Sequence, residues 1–255
     1  MSTRVPRKVG LFASCIADLA APGPARASVE VLEAMGCRVE VPDAQTCCGQ
    51  AALNSGYPRE AGRLMRRWIE MFERYDAVVS PSGSCVSTIH HQYPRVLPGG
   101  WSRRAEDLDL RVFEMSQFVA AYGGRLPLRL DATVTYHDSC HMLRSLGESR
   151  APREVIERIK GVRLVELVNS ATCCGFGGTF ATKFPDVSCA MADQKLAEAQ
   201  ATDADYLVSA DPGCLLHLSA RAGATGRPVR TRHVAELIRD ALVQSQRPAA
   251  EGVAS

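Results

Sequence analysis

The chain lacks an excess of charge of either sign. Its 30 Lys+Arg and 28 Asp+Glu leave a formal net charge of +2, which gives no electrostatic case for nucleic acid or an anionic membrane surface. The arginines are spread along helical stretches such as REAGRLMRRWIEMFER, with acidic residues between them, as on a solvated helix face. A long apolar run is also missing. No stretch approaches the ~18–20 apolar residues that span a bilayer, and the basic start MSTRVPRKVGLFASC has no apolar segment of signal-peptide length. The expectation is a cytoplasmic protein without a membrane-spanning segment. Three further absences narrow the chemistry: no clustered C-x-x-C-x-x-C run of ferredoxin type, no P-loop, and no G-x-G-x-x-G after a strand. The glycine-rich GFGG at 175–178 follows a cysteine pair and lacks the acidic residue expected about twenty positions on in a dinucleotide site. The chain therefore carries no evident hydride-acceptor site of its own.

What is present is a soluble globular composition, 46% hydrophobic and 23% charged, long enough for one large domain or two of ordinary size. It also has ten cysteines. Stable disulfides are unusual in a reducing compartment, so metal or redox chemistry is favoured over covalent staples.

The cysteines are written twice. Cys15 is followed after 31 residues by Cys47-Cys48-Gly49, and after 36 more by Cys85. Cys140 is followed after 32 residues by Cys173-Cys174-Gly175, and after 39 more by Cys214. Matched positions are offset by 125, 126, 126 and 129, so eight of the ten cysteines fall into two copies of one pattern. Their surroundings repeat as well. KVGLFASC and ATVTYHDSC are β-rich runs ending at a cysteine, CRVEV and VRLVEL precede each pair, and DAVVSPSGSC and ADYLVSADPGC join a short apolar strand to a Pro/Gly turn. LRVFEMSQFVAAYG and PVRTRHVAELIRDAL each read as a strand running into an amphipathic helix. Helical periodicity fills the gaps, in ARASVEVLEAMG and PREVIERIKG and in PREAGRLMRRWIEMFERYD and FPDVSCAMADQKLAEAQATD. This predicts an α/β fold of two pseudo-symmetric halves, each a mainly parallel four-stranded sheet flanked by helices. The halves are placed at 1–126 and 127–244, divided in GRLPLRLD, with a polar, flexible tail at 245–255.

In such a sheet every repeated cysteine lies just past the C-terminal end of a strand, where ligand sites of open α/β sheets gather. Helix N-termini beyond them suit an anionic thiolate-bound centre, and Gly49 and Gly175 let the backbone come close to sulfur. Four thiolates per half suit zinc, an iron–sulfur cluster or thiol–disulfide chemistry. Structural zinc usually draws on two short knuckles. Here ligands come from loops thirty or more residues apart, and one pair is directly adjacent. Adjacent cysteines reach two irons of one cluster more easily than two vertices around one ion, so the spacing favours iron–sulfur.

SCIADL, QTCCGQ, SPSGSC, YHDSCHMLR, TCCGFGGTFA and ADPGCL together resemble the cysteine-rich CCG domain known from heterodisulfide reductase. They are most similar to the LutA/YkgE (LldE) family of lactate-utilisation iron–sulfur proteins, over roughly residues 8–240. The resemblance implies clusters between the cysteine-bearing edges of two α/β halves. It implies an electron-transfer subunit of a complex oxidising L-lactate to pyruvate, an oxidoreductase not self-sufficient alone. Its partners would be a ferredoxin-like iron–sulfur subunit and a third small subunit. Carried over residue by residue, the ligands are Cys15, Cys47, Cys48 and Cys85, and Cys140, Cys173, Cys174 and Cys214, for one or two clusters of 4Fe-4S type. The reductase's last motif is C-x-x-C, but Ser82 and Asp211 replace its first cysteine here. Four-thiolate ligation is therefore expected, with Ser82 and Asp211 as candidate oxygen ligands or plain turn-formers. The alternatives are a heterodisulfide-reductase-like thiol/disulfide protein and a structural zinc module.

Among the remaining residues, His137 and His141 flank Cys140 as candidates for tuning a cluster or moving protons. Arg144 is a candidate for offsetting cluster charge or binding a carboxylate. His90 and His91, after Cys85, read as mostly structural; His217 occupies the comparable place after Cys214, which leaves a supporting role open for one of the three. Cys37 aligns with Val162 and, like Cys189 on a predicted helix, reads as a buried hydrophobe.

Overall fold

The structure is a computed structural model that describes residues 4–246. The first half runs β1 (Lys8–Leu11), α1 (Cys15–Leu19), α2 (Gly23–Ala34), β2 (Arg38–Glu40), α3 (Gln50–Asn54), α4 (Pro58–Phe72), β3 (Ala77–Ser80), α5 (Gly83–Val96), α6 (Gly100–Asp109), β4 (Val112–Glu114) and α7 (Met115–Tyr122). The second runs β5 (Arg129–Tyr136), a π-helical turn (His141–Ser145), α8 (Arg150–Glu157), β6 (Lys160–Glu166), α9 (Thr179–Lys183), α10 (Pro185–Gln200), β7 (Tyr206–Ser209), α11 (Pro212–Thr225), β8 (Thr231–His233) and α12 (Val234–Gln246).

Each half folds around its own four-stranded, wholly parallel sheet, in the order β2-β1-β3-β4 and β6-β5-β7-β8. Val9 on β1 pairs with Val39 on one side and Ala77 on the other. Val134 on β5 pairs with Leu164 and Tyr206 in the same way. Strands covered on both faces need continuous apolar character, and AVVS of β3 is buried at all four positions.

The helices are read from their ends and their apolar stripes. Both α4 and α10 open on a proline in the first turn with an acidic residue behind it, as the free N–H groups and dipole of a helix start favour. In α4 residues 61, 65, 68, 69 and 72 are buried, and in α10 residues 188, 192, 195, 196 and 199. These are the same helical positions, 127 residues apart, so the repeat extends into side-chain packing.

Three apolar clusters form. One lies beneath α4, α5 and α6, around Phe12, Trp68, Phe72 and Tyr93. A second lies beneath α10 and α11, around Leu196 and Leu218. The largest is shared: Val9, Val79, Val134 and Val208 from both sheets meet Val31, Phe118, Val155 and Ile238 from α2, α7, α8 and α12. Helix α12 packs on α2, and α7 on α8. The chain passes between sheets near residue 126, but the apolar interior between them is common to both halves. The tail placed at 245–255 lies outside the described residues except for 245–246, which close α12.

Candidate metal centres

Cys15, Cys85, Cys140 and Cys214 sit where a strand hands over to a helix or turn, whereas the Cys47-Cys48 and Cys173-Cys174 pairs lie in the longer loops from β2 to α3 and from β6 to α9 rather than just past a strand. Cys15 opens α1, with Ser14 as its N-cap accepting from Ala17 N–H. Cys140 immediately precedes the π-helical turn. Cys85 and Cys214 lie in the first turns of α5 and α11. Cys47 and Cys173 are half-buried, like Cys15 and Cys140, while Cys48, Cys85, Cys174 and Cys214 are buried. The two halves agree position by position, and all ten cysteines are free thiols.

Each set forms a chain of hydrogen-bonded sulfurs. Cys15 meets Cys47, Cys47 meets Cys48, and Cys48 meets Cys85; Cys140, Cys173, Cys174 and Cys214 repeat the sequence. The Cys15 thiol hydrogen-bonds Cys47 and, with Cys48 and the Gly49 N–H, holds it down to about 2. Cys140, Cys174 and the Gly175 N–H do the same for Cys173. The opposite shift falls on the neighbours. The hydrogen bond to Cys47 and burial push Cys15 up, and the bonds to Cys47 and Cys85 push Cys48 up. Four sulfurs this close ionise together only when positive charge compensates them, so the donor set fits a thiolate-bound metal centre.

The backbone around each pair is shaped for sulfur. Gly49 and Gly175 have φ of 93° and 92°, a left-handed conformation that side chains disfavour. Their N–H groups donate to Cys47 Sγ and Cys173 Sγ, both at 3.4 Å. A Cβ on Gly175 would stand 2.6 Å from the Ser188 carbonyl oxygen, and one on Gly49 3.3 Å from that of Ala61. Tyr93 Oη donates to the Cys48 carbonyl at 3.0 Å, and Ser188 Oγ to the Gly175 carbonyl at 2.9 Å.

Both sets face one cavity of about 330 Å³ between the halves, lined by all eight cysteines and by Ser82, Asp211, His141 and Phe176. Ser82 and Asp211 are N-caps. Ser82 Oγ accepts from Cys85 N–H at 3.4 Å, whereas Asp211 accepts from Gly213 N–H at 3.1 Å and from Ser84 N–H, in the other half, at 2.9 Å. His141 also joins the halves. Its Nε2 lies 3.0 Å from the Gln50 amide nitrogen, which donates, so Nδ1–H points to Cys140 Sγ at 3.5 Å. Arg144 is exposed and reaches the Ala171 carbonyl at 3.2 Å, bracing the loop that leads to Cys173.

His137 lies behind the second set. It is fully buried, neither ring nitrogen closes a hydrogen bond among the described residues, and its nitrogen lies within 4.8 Å of the Cys174 and Cys214 sulfurs. Burial pushes its imidazole down to about 4. His90 Nδ1 meets Asp109 at 2.9 Å and His217 Nε2 lies 3.2 Å from Ser188 Oγ, whereas His91 Nε2 is buried with no hydrogen-bond partner among the described residues. Cys37 is in the shared core, its thiol pushed up to about 11 by burial. Cys189 departs from the expected burial. It lies beside the inward-facing Ser188 on α10 and is partly exposed. Sequence reasoning does not single out Gln50 or Ser84; Gln50 stands directly after CCG, and only the fold brings it to His141.

Two α/β halves presenting matched cysteine quartets to one cavity define a tandem cysteine-rich protein. Residues 9–90 and 134–219 match the CCG family, described as the cysteine-rich domain, once in each half. The chain is 43% identical over 235 residues to lactate utilization protein A of Geobacillus sp. (strain WCH70), covering 91% of this chain and 98% of that protein. It is 44% identical over 235 residues to lactate utilization protein A of Halalkalibacterium halodurans, covering 91% and 96%. The chain belongs to the lactate utilization protein A family. Among solved structures, a hypothetical protein from Helicobacter pylori shares the fold with a TM-score of 0.65 at 11% identity, over 94% of this chain and 49% of that one.

Proposed function

We propose that the protein is an iron–sulfur electron-transfer subunit of an L-lactate-oxidising complex, acting in lactate utilisation in the cytoplasm. The observation that carries this is the pair of matched four-thiol sets facing a single cavity, in a chain so similar to lactate utilization protein A. Cys15, Cys47, Cys48 and Cys85 would hold one cluster, of 4Fe-4S type, and Cys140, Cys173, Cys174 and Cys214 a second. A bound cluster supplies one-electron redox chemistry.

The chain's own groups do the rest. The Gly49 and Gly175 N–H groups donate to sulfur and favour added negative charge there. The His141 Nδ1–H is aimed at Cys140 Sγ and stabilises a thiolate at that atom. Buried aromatic and aliphatic side chains behind the cysteines keep water from the inner sulfurs. Oxidation of lactate to pyruvate releases two electrons and two protons. A ferredoxin-like iron–sulfur subunit and a third small subunit complete the proposed path, since no hydride-acceptor motif is recognisable in this chain. Among the described residues no helix is long and apolar enough to cross a membrane.

The test is composition. Protein prepared anaerobically should contain iron and acid-labile sulfide and show visible absorption that bleaches on reduction. Stoichiometric zinc without sulfide would replace this reading with a structural zinc module. Disulfide turnover by the isolated protein with a strong electron donor would point instead to a thiol/disulfide enzyme.

A further inference from the structure

The two halves agree so closely that an ionisable pair standing behind the second set of cysteines is informative. Behind the first set stands Phe12, edge-on to Trp68 with ring centroids 5.6 Å apart, in the same apolar cluster as Cys48 and Cys85. The repeat places His137 where Phe12 stands, three residues before the first cysteine of its set. It places Lys195 where Trp68 stands, at the matching turn of α10. Lys195 is itself buried, its ammonium bonded to the Asn169 carbonyl and paired with Glu198 at 3.2 Å. An aromatic pair in one half is thus an imidazole and an ammonium in the other.

A buried imidazole with both nitrogens unpartnered costs free energy unless something beyond the described groups satisfies it. The cation of Lys195 cannot accept from it, and the Ser170 carbonyl lies near the ring without closing a hydrogen bond. The groups that remain are sulfurs: a His137 nitrogen, Cys174 Sγ and Cys214 Sγ all lie within 4.8 Å of one another, compact enough to serve a single metal centre. A ligating imidazole commonly directs its other nitrogen to a backbone carbonyl, and Ser170 stands in the right neighbourhood for that.

We propose that His137 supplies a nitrogen ligand to the metal centre of the second cysteine set, beside Cys174 and Cys214, while the first centre, backed by Phe12, is bound through sulfur alone. This rests on the reading that the cysteine sets hold metal. It makes the two centres chemically unlike, because an imidazole that takes the position otherwise filled by one of the set's outer thiolates, Cys140 or Cys173, removes negative charge and raises the centre's reduction potential. The second centre then accepts an electron more readily than the first, which gives the pair a direction.

The experiment labels the protein with ¹⁵N-histidine, purifies it anaerobically, and reads nitrogen hyperfine coupling in the reduced centres by pulsed electron paramagnetic resonance. X-ray absorption at the metal edge reads any diamagnetic ion. A strongly coupled histidine nitrogen is expected in wild type. It should persist in His141→Gln and in Cys47→Ser, which disables the first set, and vanish in His137→Phe and His137→Gln. His137→Phe copies Phe12 and should also bring the second centre's potential down toward the first's. A metal-loaded wild type with no ligating histidine nitrogen overturns the proposal, and so does a coupling that survives His137→Phe. Should both variants fail to fold, labelled His141→Gln alone still decides. A wild type without metal removes the parent reading as well, so the two failures are distinguishable.

Discussion

The backbone N–H of Ser84 donates to Oδ2 of Asp211 at 2.9 Å, across 127 residues of chain. One carboxylate thereby caps α11 through Gly213 and ties α11 to the start of α5. The Gly83 N–H reinforces the tie by donating to the Ala210 carbonyl at 3.1 Å. Cys85 and Cys214 ride on those two helix starts, so the spacing of the inner sulfurs across the cavity depends on this junction. Asp211→Ala should destabilise the protein by about 2–3 kcal/mol, a lost cap plus an unsatisfied buried N–H. Asp211→Asn, which keeps one acceptor, should recover part of that. Denaturant unfolding of the metal-free protein reads both, and an unchanged midpoint in Asp211→Ala would show that the junction holds without the carboxylate.

Cysteine substitutions separate ligands from packing. Cys174→Ser should remove the metal of the second set and leave the first, roughly halving metal per chain if both sets are filled. Cys37→Ser lies in the shared core, where a buried hydroxyl costs on the order of 1–2 kcal/mol, and should leave metal content unchanged. Metal analysis and unfolding midpoints on the two proteins check this. Metal lost from Cys37→Ser but kept by Cys174→Ser would reverse the assignment.

Gly175 tests the backbone around the pair. Gly175→Ala places a Cβ at φ of 92° and 2.6 Å from the Ser188 carbonyl oxygen. The left-handed conformation alone costs about 1–2 kcal/mol, and the clash must push α10 away from Cys174. Gly56→Ala meets the same sign of φ with nothing within 4 Å of the added carbon, so it isolates the conformational cost. The second centre should lose metal to a chelator faster in Gly175→Ala, while Gly56→Ala behaves as wild type. Equal metal loss from the two would show that the close approach at Gly175 is immaterial.

The sheets and the cysteine quartets are legible in the sequence because both are periodic. KVGLFASC and ATVTYHDSC, with their partners, carry each strand up to its cysteine, and the repeat supplies the pairing that no single strand reveals. Helix α6 escapes, since GWSRRAEDLD buries only Ala105 and Leu108 and has no counterpart in the second half. The shared core escapes for another reason. The apolar faces of α2 and α12 are visible as stripes, but which stripe meets which depends on docking across the pseudo-repeat. The Gln50–His141 and Ser84–Asp211 bonds are long-range polar contacts with no periodic signature. His137 is the intermediate case: aligning the two copies sets it opposite Phe12, but only the structure shows its nitrogens unpartnered beside two sulfurs.

The pseudo-repeat also sets Glu114 against His233, each ending the last strand of its sheet and capping the helix that follows. Glu114 accepts from Ser116 N–H at 2.7 Å, and His233 Nδ1 accepts from Ala235 N–H at 3.1 Å. Both are buried, and burial moves them in opposite senses: Glu114 up to about 8 and His233 down to about 4. Between the ordinary carboxylate range and pH 8 the folded protein keeps a proton on Glu114 that the unfolded chain releases, so stability falls as pH rises through that window. His233 works the other way, and its contribution falls as pH drops from 6.5 toward 4. Glu114→Gln keeps an acceptor for Ser116 and removes the titration. Wild type should lose up to a few kcal/mol more than Glu114→Gln between pH 5.5 and 8.5, at most about 1.4 kcal/mol per pH unit, while their acid limbs stay parallel. Urea unfolding across that range checks the difference, and superimposable profiles would mean that Glu114 ionises in the folded protein as freely as in water.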